Sequence, residues 1–363
     1  MDVENRAALR RLTLREFRLY SAADLELSPG FTILEGPNAA GKTSLLEAVY
    51  LLGTGRLLRA RRDAEAVRSG AELAEVHGKL EPSGTQVRVE LPRGGRKRVW
   101  VNEMSLRRAA DLLGRLPMVC AHSEDMDLLR GEPAERRLYM DLELSAAYPA
   151  YLRHLADYRR ALEQRNALLK QARETWVEDA QFEIWEVTLA EHGEPLRRYR
   201  REFVAALSGP AADVQAHLGG EELGLRYETA DAGMDVELLA RNRAAEVARG
   251  STQIGPHRDD LAVAVAGRDA RIFASQGQQR TAVLALKLAL LPVLRGIHGR
   301  NPLLLLDDML SDLDQDRRAR LSDWVVHQAS QALLTCTEAR AAGEEILRMA
   351  EVVRVESGRI MTA

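Results

Sequence analysis

The chain has 363 residues, 46% hydrophobic and 29% charged, a globular balance that excludes wholesale disorder, collagen-like sequence and a membrane bundle. Its 51 basic and 54 acidic residues leave a net charge of -3, so any contact with a polyanion has to be local. Two cysteines, Cys120 and Cys336, supply neither a disulfide framework nor metal-ligand spacing, and the length predicts one large lobe with a second, smaller unit. The N-terminus MDVENRAALRRL lacks the apolar stretch of a secretory signal, and no run approaches the roughly eighteen uninterrupted apolar residues of a spanning helix. A cytoplasmic protein is expected.

From Arg11 to Gly30 apolar and polar residues alternate, the period-two pattern of half-buried strands, and Pro29-Gly30 marks a turn. The short apolar run FTIL, a glycine-bounded loop and SLLEAVYLL follow. Leu45, Leu46, Val49 and Leu52 fall at helical spacing, so this stretch reads as strand, loop, helix. VRVEL and RVWV flank PRGGRK and predict a hairpin with a basic tip. After Pro117 helix formers dominate, and two helices, Pro149 to about Arg173 and about Glu178 to Ser208, are expected on either side of Trp176 and Val177. DDLAVAVAG and DARIF read as short strands, TAVLALKLALLPVLR as a buried helix and LLLLDD as a buried strand. No repeat or sustained heptad pattern appears, so a long coiled-coil arm is excluded.

Three elements carry chemistry. Gly36 to Thr43, GPNAAGKT, matches the eight-residue phosphate loop, with Gly36, Asn38, Gly41, Lys42, Thr43 and Ser44 as candidate nucleotide contacts. Lys42 is placed to neutralise β- and γ-phosphates, and Thr43 to offer its hydroxyl to Mg²⁺. At the end of LLLLDD, Asp307 can complete the Mg²⁺ shell while Asp308 handles the attacking water, the division that phosphoryl transfer needs. An acidic pair alone is more often a capped turn; beside a phosphate loop it becomes a site. The third element, SQGQQR, has Ser275, Gly277 and Gln279 at the start of a buried helix, a second anion-binding terminus. One chain does not need two cradles for one nucleotide, so the second is read as gripping the nucleotide of another copy. A polar helix cap is the alternative for that segment taken alone.

Together with SDLD at Ser311 to Asp314, these elements resemble ABC-type ATPases in order and spacing. Within that superfamily the chain is similar to the RecF family of bacterial DNA-repair proteins. The likeness runs through FRLY at Phe17 to Tyr20, GRLLR after the first helix, LLRGEPAERRLYMD at Leu128 to Asp141 and TQIGPHRDD at Thr252 to Asp260, nearly the whole chain. The resemblance implies an α/β fold, an ABC-type P-loop ATPase head with mixed sheets plus a helical second lobe. Residues 1–130 would form the N-terminal part of the head, 131–250 the helical lobe, and 251–363 the part that completes the head. It further implies ATP and Mg²⁺ as cofactors, an ATP-dependent homodimer with signature residues acting in trans, binding at double-strand to single-strand DNA junctions, and assistance with RecA loading alongside RecO and RecR. Arg18 matches the family arginine near the nucleotide.

The chain departs from the family pattern in places. Ala39 stands where Gly is common, Leu19 replaces a frequent Asn, and TCT at Thr335 to Thr337 lacks the switch histidine of transporter ATPases. Asp308 takes the place of a longer Glu, so slow turnover is expected, and no residue between Cys120 and Glu124 is assigned to the glutamine loop. The DNA surface is read on the head at Arg56, Arg59, Arg61 and Arg62 and at the hairpin tip, Arg93, Arg96, Lys97 and Arg98. Each of these also reads as an ordinary solvated charge. Two further readings compete: the nucleotide-binding subunit of an ABC transporter, opposed by the missing histidine and by GPHRDD, and a chromosome-structural protein with long arms, opposed by helix length.

Overall fold

The computed structural model describes residues 8–60, 62–231, 233–310 and 313–361, and in it the N-terminal alternation folds as an antiparallel pair, β1 (Ala8–Phe17) and β2 (Tyr20–Glu26). This pair extends through β4 (Leu73–Glu81), β5 (Gln86–Pro92), β6 (Arg98–Val101) and β7 (Met104–Ser105) into a six-stranded sheet of order β2-β1-β4-β5-β6-β7. Its inner face, with Leu12, Leu14, Val76, Val87 and Val89, is buried in the same core as Leu45, Leu46, Val49 and Leu52 of α1 (Lys42–Thr54). Gly78 permits that approach: a Cβ there would sit 2.5 Å from Leu52 Cδ1.

The second sheet has the order β15-β14-β3-β13-β12-β8, built from β3 (Phe31–Glu35), β8 (Met118–His122), β12 (Leu303–Asp307), β13 (Ala332–Cys336), β14 (Ala350–Glu356) and β15 (Arg359–Met361). All neighbours are parallel except β14 and β15. LLLLD and ALLTC are buried throughout, as strands covered on both faces must be. β8 corrects the helical reading placed after Pro117. MVCAH is too short for its period to choose between helix and strand, and parallel pairing with β12 decides.

The chain divides into two units: residues up to Asp125, Asp213–Gly220 and from Thr281 onward form one; Met126–Ala212 and Glu221–Arg280 form the other. Residues 251–280, grouped in the sequence with the C-terminal part of the head, fall in the second unit, because β10 (Asp260–Val265) pairs with β9 (Leu223–Glu228) in a three-stranded sheet completed by β11 (Arg268–Asp269). Only the first two residues after Gly267 remain strand. Ala270–Phe273 of DARIF turn into a short helix, α7, started by the Asp269 carboxylate accepting from the Arg271 N–H at 2.8 Å.

Helices α2 (Asp127–Arg130), α3 (Pro133–Ala147), α4 (Pro149–Gln171) and α6 (Val236–Arg249) belong to the second unit. α5 (Asp179–His217) is 39 residues long, well beyond the expected end at Ser208. Gly209-Pro210 signals a break, but Leu207, Ala211, Val214 and Leu218 remain buried at helical spacing. That packing outweighs the single hydrogen bond lost at Pro210. The predicted apolar helix appears as α8 (Gln276–Leu288) and α9 (Leu290–His298), interrupted where Pro292 cannot donate to the preceding turn. The stretch Gln276–His298 is long and apolar enough to cross a membrane by composition, but 67% of its most apolar window is buried inside the protein, as in a core helix. α10 (Gln315–Gln328) and α11 (Glu344–Met349) complete the first unit.

Candidate functional site

The phosphate loop joins β3 to α1. At Gly36 a Cβ would lie 2.1 Å from the Val355 carbonyl oxygen, and Gly41 has φ +113 with Tyr20 Oη 2.8 Å from where its Cβ would be. Both positions therefore require glycine. Ala39 also has a left-handed φ, +63, so the departure from glycine noted in the sequence falls on a backbone geometry that costs an L-residue about 1 kcal/mol. Asn38 is exposed at the loop's tip and Ser44 half-buried in the first turn of α1.

Lys42 is only 8% exposed, and its ammonium donates to the carbonyls of Gly36 at 2.7 Å and Pro37 at 2.9 Å. Burial lowers its pKa, and the carboxylates of Asp308 and Asp307 oppose that shift. Asp307 lies at the carboxyl end of β12, between Thr335 of β13 and His122 of β8. Its Oδ1 accepts from Thr43 Oγ1 and Thr335 Oγ1, each at 2.8 Å, and its Oδ2 accepts from Arg59 Nη2 at 2.7 Å. Ligand sites of open parallel sheets occupy this edge. Asp308 follows with φ +54 and an exposed side chain, its N–H donating to Thr335 Oγ1 at 2.9 Å. The buried Cys336 thiol nearby is pushed up to about 12, chiefly by burial, so it is no nucleophile.

Three residues absent from the sequence reading of the nucleotide site organise it. Glu47, buried on α1, accepts from Arg18 Nε at 2.7 Å and Nη2 at 2.9 Å, and from the Arg59 backbone N–H at 3.1 Å. It thereby ties the β1–β2 turn and the loop after α1 to the phosphate-loop helix. Thr335 bridges the two acidic residues. Arg59, read as a DNA contact, is paired with Asp307, with Glu124 3.8 Å away. A glutamate inside the first helix and an arginine in GRLLR carry no motif of their own, and only the fold brings them together.

The remaining DNA candidates are distributed as follows. Arg56, Arg62 and Arg96 are exposed, and Arg61 lies outside the described residues. Arg93 donates to the carbonyls of Ala71 and Arg68, Lys97 pairs with Asp63 at 3.0 Å, and Arg98 pairs with Glu90 at 2.7 Å. The hairpin tip thus adjoins the 56–63 segment, but three of its four cations already have partners. In the second unit, Ser275 and Gln278 cap the start of α8 reciprocally, Ser275 N–H to Gln278 Oε1 at 2.7 Å and Gln278 N–H to Ser275 Oγ at 3.3 Å. Gly277 is half-buried in the first turn. Gln279 is buried, held by Arg130 Nε at 2.9 Å and the Ala270 carbonyl at 3.1 Å, so its amide braces the turn from within. Ser311 and Asp312 of SDLD lie outside the described residues, and Asp314 caps α10 by accepting from the Arg317 N–H at 2.9 Å.

A family model described as the RecF/RecN/SMC N-terminal domain matches residues 8–360. A "DNA replication and repair protein RecF" from Symbiobacterium thermophilum is 41% identical over 346 residues, covering 91% of each chain, and one from Synechocystis is 37% identical over 97% of each. Among solved structures, "Structure of the recombination mediator protein RecF-ATPrS in RecFOR pathway" superposes with a TM-score of 0.88 at 28% identity over 98% of both chains. An Smc head bound to the C-terminal winged-helix domain of ScpA shares the fold at a TM-score of 0.56 and 16% identity, over 97% of both chains.

Proposed function

This chain belongs to the RecF/RecN/SMC N-terminal-domain family, and on that premise we propose that it is an ATP-dependent DNA-binding protein of recombination repair, a slow ATPase of the cytoplasm. The observation that carries the reading is the meeting of Lys42, Thr43 and Asp307 at one sheet edge in a chain whose relatives are RecF proteins, one of them described in complex with ATP. The donor set suits the cofactors: a hydroxyl and a carboxylate are hard oxygen ligands for Mg²⁺, and Lys42 at the start of α1 suits phosphate. Bound Mg²⁺ would supply charge neutralisation at the β- and γ-phosphates.

The chain's own groups do the rest. Lys42 exchanges the Gly36 and Pro37 carbonyls for phosphate oxygens, and Gly36, Asn38, Gly41 and Ser44 line the same cradle. Thr43 and Asp307 would hold the metal, and Arg59, where it releases Asp307 Oδ2, would be available to phosphate charge. Arg18, held by Glu47, stands beside the loop. Asp308 orients the attacking water, and its short side chain keeps turnover slow. Ser275 and Gly277 of a second copy close over the nucleotide, with Gln279 supporting them from inside.

Two nucleotides are sandwiched in an ATP-dependent homodimer, and hydrolysis times its release from DNA. The dimer binds double-strand to single-strand junctions through Arg56, Arg61, Arg62 and the hairpin tip, and with RecO and RecR it assists RecA loading on gapped DNA. Sizing the protein by light scattering with a slowly hydrolysed ATP analogue and gapped DNA tests this. A nucleotide-dependent dimer on the DNA is expected, and a monomer under saturating Mg-nucleotide at every concentration overturns it. Stimulation of hydrolysis by a membrane partner and not by gapped DNA would revive the transporter reading, which the relatives do not favour.

A further inference from the structure

Between Arg173 and Arg197 the chain has seven acidic residues and no Lys or Arg, whereas over its full length the two signs nearly cancel. The stretch forms the turn after α4 and the N-terminal half of α5, within the second unit. It also carries three large apolar side chains open to water: Trp176 is 82% exposed, Ile184 64% and Val187 51%. α5 buries Phe182, Leu189 and Leu196 on its inner face, so it needs no apolar residue on the other side for its own packing. Ile184 and Val187, three residues apart, are neighbours on that outer face, and Trp176 stands three residues before α5 begins. Single exposed apolar residues are ordinary. A tryptophan and two aliphatic residues exposed within a dozen positions have the make-up of a contact surface.

The acids of this stretch divide by partner. Asp179 and Glu186 are met by Arg243 of α6 at 2.6 and 2.7 Å, and Glu194 pairs with Arg201. Glu174, Glu178, Glu183 and Glu191 are exposed and form no ion pair among the described residues. Lys170 and Arg173, the cations just before the stretch, lie against the end of α6: a Cβ on Gly250 would be 3.5 Å from Lys170 Cγ and 3.4 Å from Arg173 Nη1. Glu174 and Glu178 are each two residues from Trp176, and Glu183 and Glu191 are each one helical turn from Val187. The exposed apolar residues thus have uncompensated carboxylates on either side. That charge decides the class of partner, because DNA phosphates and the same face of a second copy are both repelled while a basic surface is attracted.

We propose that this outer face of the helical unit docks a basic amphipathic helix of a protein partner, its apolar side on Trp176, Ile184 and Val187 and its Lys or Arg side chains on Glu174, Glu178, Glu183 and Glu191. An amphipathic helix recognises its site through apolar anchors at one-turn spacing, which is the spacing α5 presents. The apolar anchors supply most of the affinity, and the surrounding charges set the encounter rate and the orientation. None of these residues belongs to the nucleotide site or the DNA surface described above, so the inference goes beyond that function and does not depend on it.

Fluorescence anisotropy of a labelled synthetic Leu/Lys amphipathic helical peptide with the full chain tests it, against the same peptide with Leu replaced by Ser and with Lys replaced by Glu. The Leu/Lys peptide should bind and the other two should not. Trp176→Ser with Ile184→Ser should weaken binding about tenfold or more. Glu178→Gln with Glu183→Gln and Glu191→Gln should weaken it and flatten its dependence on salt. Binding should shift the tryptophan emission of the parent to the blue, and Trp176→Phe should bind the peptide without that shift. All variants should keep the circular-dichroism melting curve and the nucleotide binding of the parent. A Trp176→Ser, Ile184→Ser variant that binds as the parent does, or a Leu/Glu or Ser/Lys peptide that binds as well as Leu/Lys, overturns the proposal and leaves the nucleotide-site reading untouched. Self-association without nucleotide that Trp176→Ser abolishes also overturns it, since the face would then be a contact between copies.

Discussion

Thr43 Oγ1 lies 2.8 Å from Asp307 Oδ1, a hydrogen bond between residues 264 apart in the chain. It joins the phosphate-loop helix to the end of the buried strand β12 and puts two hard oxygen ligands within reach of one cation. The functional predictions start from this pair and its neighbours.

Lys42 and Asp308 differ in kind. Lys42→Met leaves phosphate charge uncompensated and should abolish nucleotide binding and nucleotide-dependent dimerisation. Asp308→Asn should keep ATP bound and trap the dimer, because only the handling of water is lost. Light scattering with Mg-ATP checks this: equally monomeric variants would contradict the division of roles.

Arg59 holds Asp307, whereas Arg96 is exposed on the hairpin tip. Arg59→Gln should therefore lower ATP hydrolysis about tenfold or more, as expected for removing a charged donor from a phosphate site. Arg96→Gln should leave hydrolysis intact and make DNA binding less salt-dependent. Steady-state phosphate release with and without DNA separates the two; equal rates would return Arg59 to the DNA surface.

In the helical unit the fully buried Arg165 donates to Glu186 at 3.0 Å and to Thr252 Oγ1 at 2.8 Å, and forms an ion pair with Glu246 at 2.6 Å. Arg165→Met takes the cation from buried Glu246 and leaves Glu186 with Arg243 alone, and should lower unfolding stability by about 3 to 5 kcal/mol. Urea denaturation followed by circular dichroism measures it, and a loss under about 1 kcal/mol would mean that the acids find other partners or take up protons.

His257 in the Thr252–Asp260 loop is bonded to Tyr158 Oη at 2.6 Å and to the Thr252 carbonyl at 3.0 Å. Burial lowers its pKa from 6.5 to about 4. The unfolded chain takes up a proton that the folded one refuses, so this group's contribution is intact above pH 6.5 and is lost as pH falls toward 4, by about 3 kcal/mol at the acid limit. His257→Gln should remove that slope between pH 6.5 and 4. Parallel pH profiles for the two proteins would show that other groups set the acid sensitivity.

Much of this protein was legible in its residues. Phosphate loop, acidic strand and signature are local patterns, because a phosphate cradle needs glycines and a cation at set spacing on one turn of chain. The hairpin at Pro92 to Arg98 and the buried strand at Leu303 follow from period-two alternation and an unbroken apolar run. Even the cost at Ala39 was visible as a missing glycine.

Tertiary structure decided what pairs with what. Met118–His122 became a strand because β12 offered an edge, and α5 ran through Pro210 because its buried face outweighed one lost hydrogen bond. Arg59 reached Asp307, and Glu47 gathered Arg18 and the loop after α1, through contacts between segments whose sequence neighbours say nothing of each other. Local patterns state which chemistry a segment can perform. Which charge meets which depends on long-range packing, since an arginine is the same residue on a DNA surface and beside a metal-binding carboxylate.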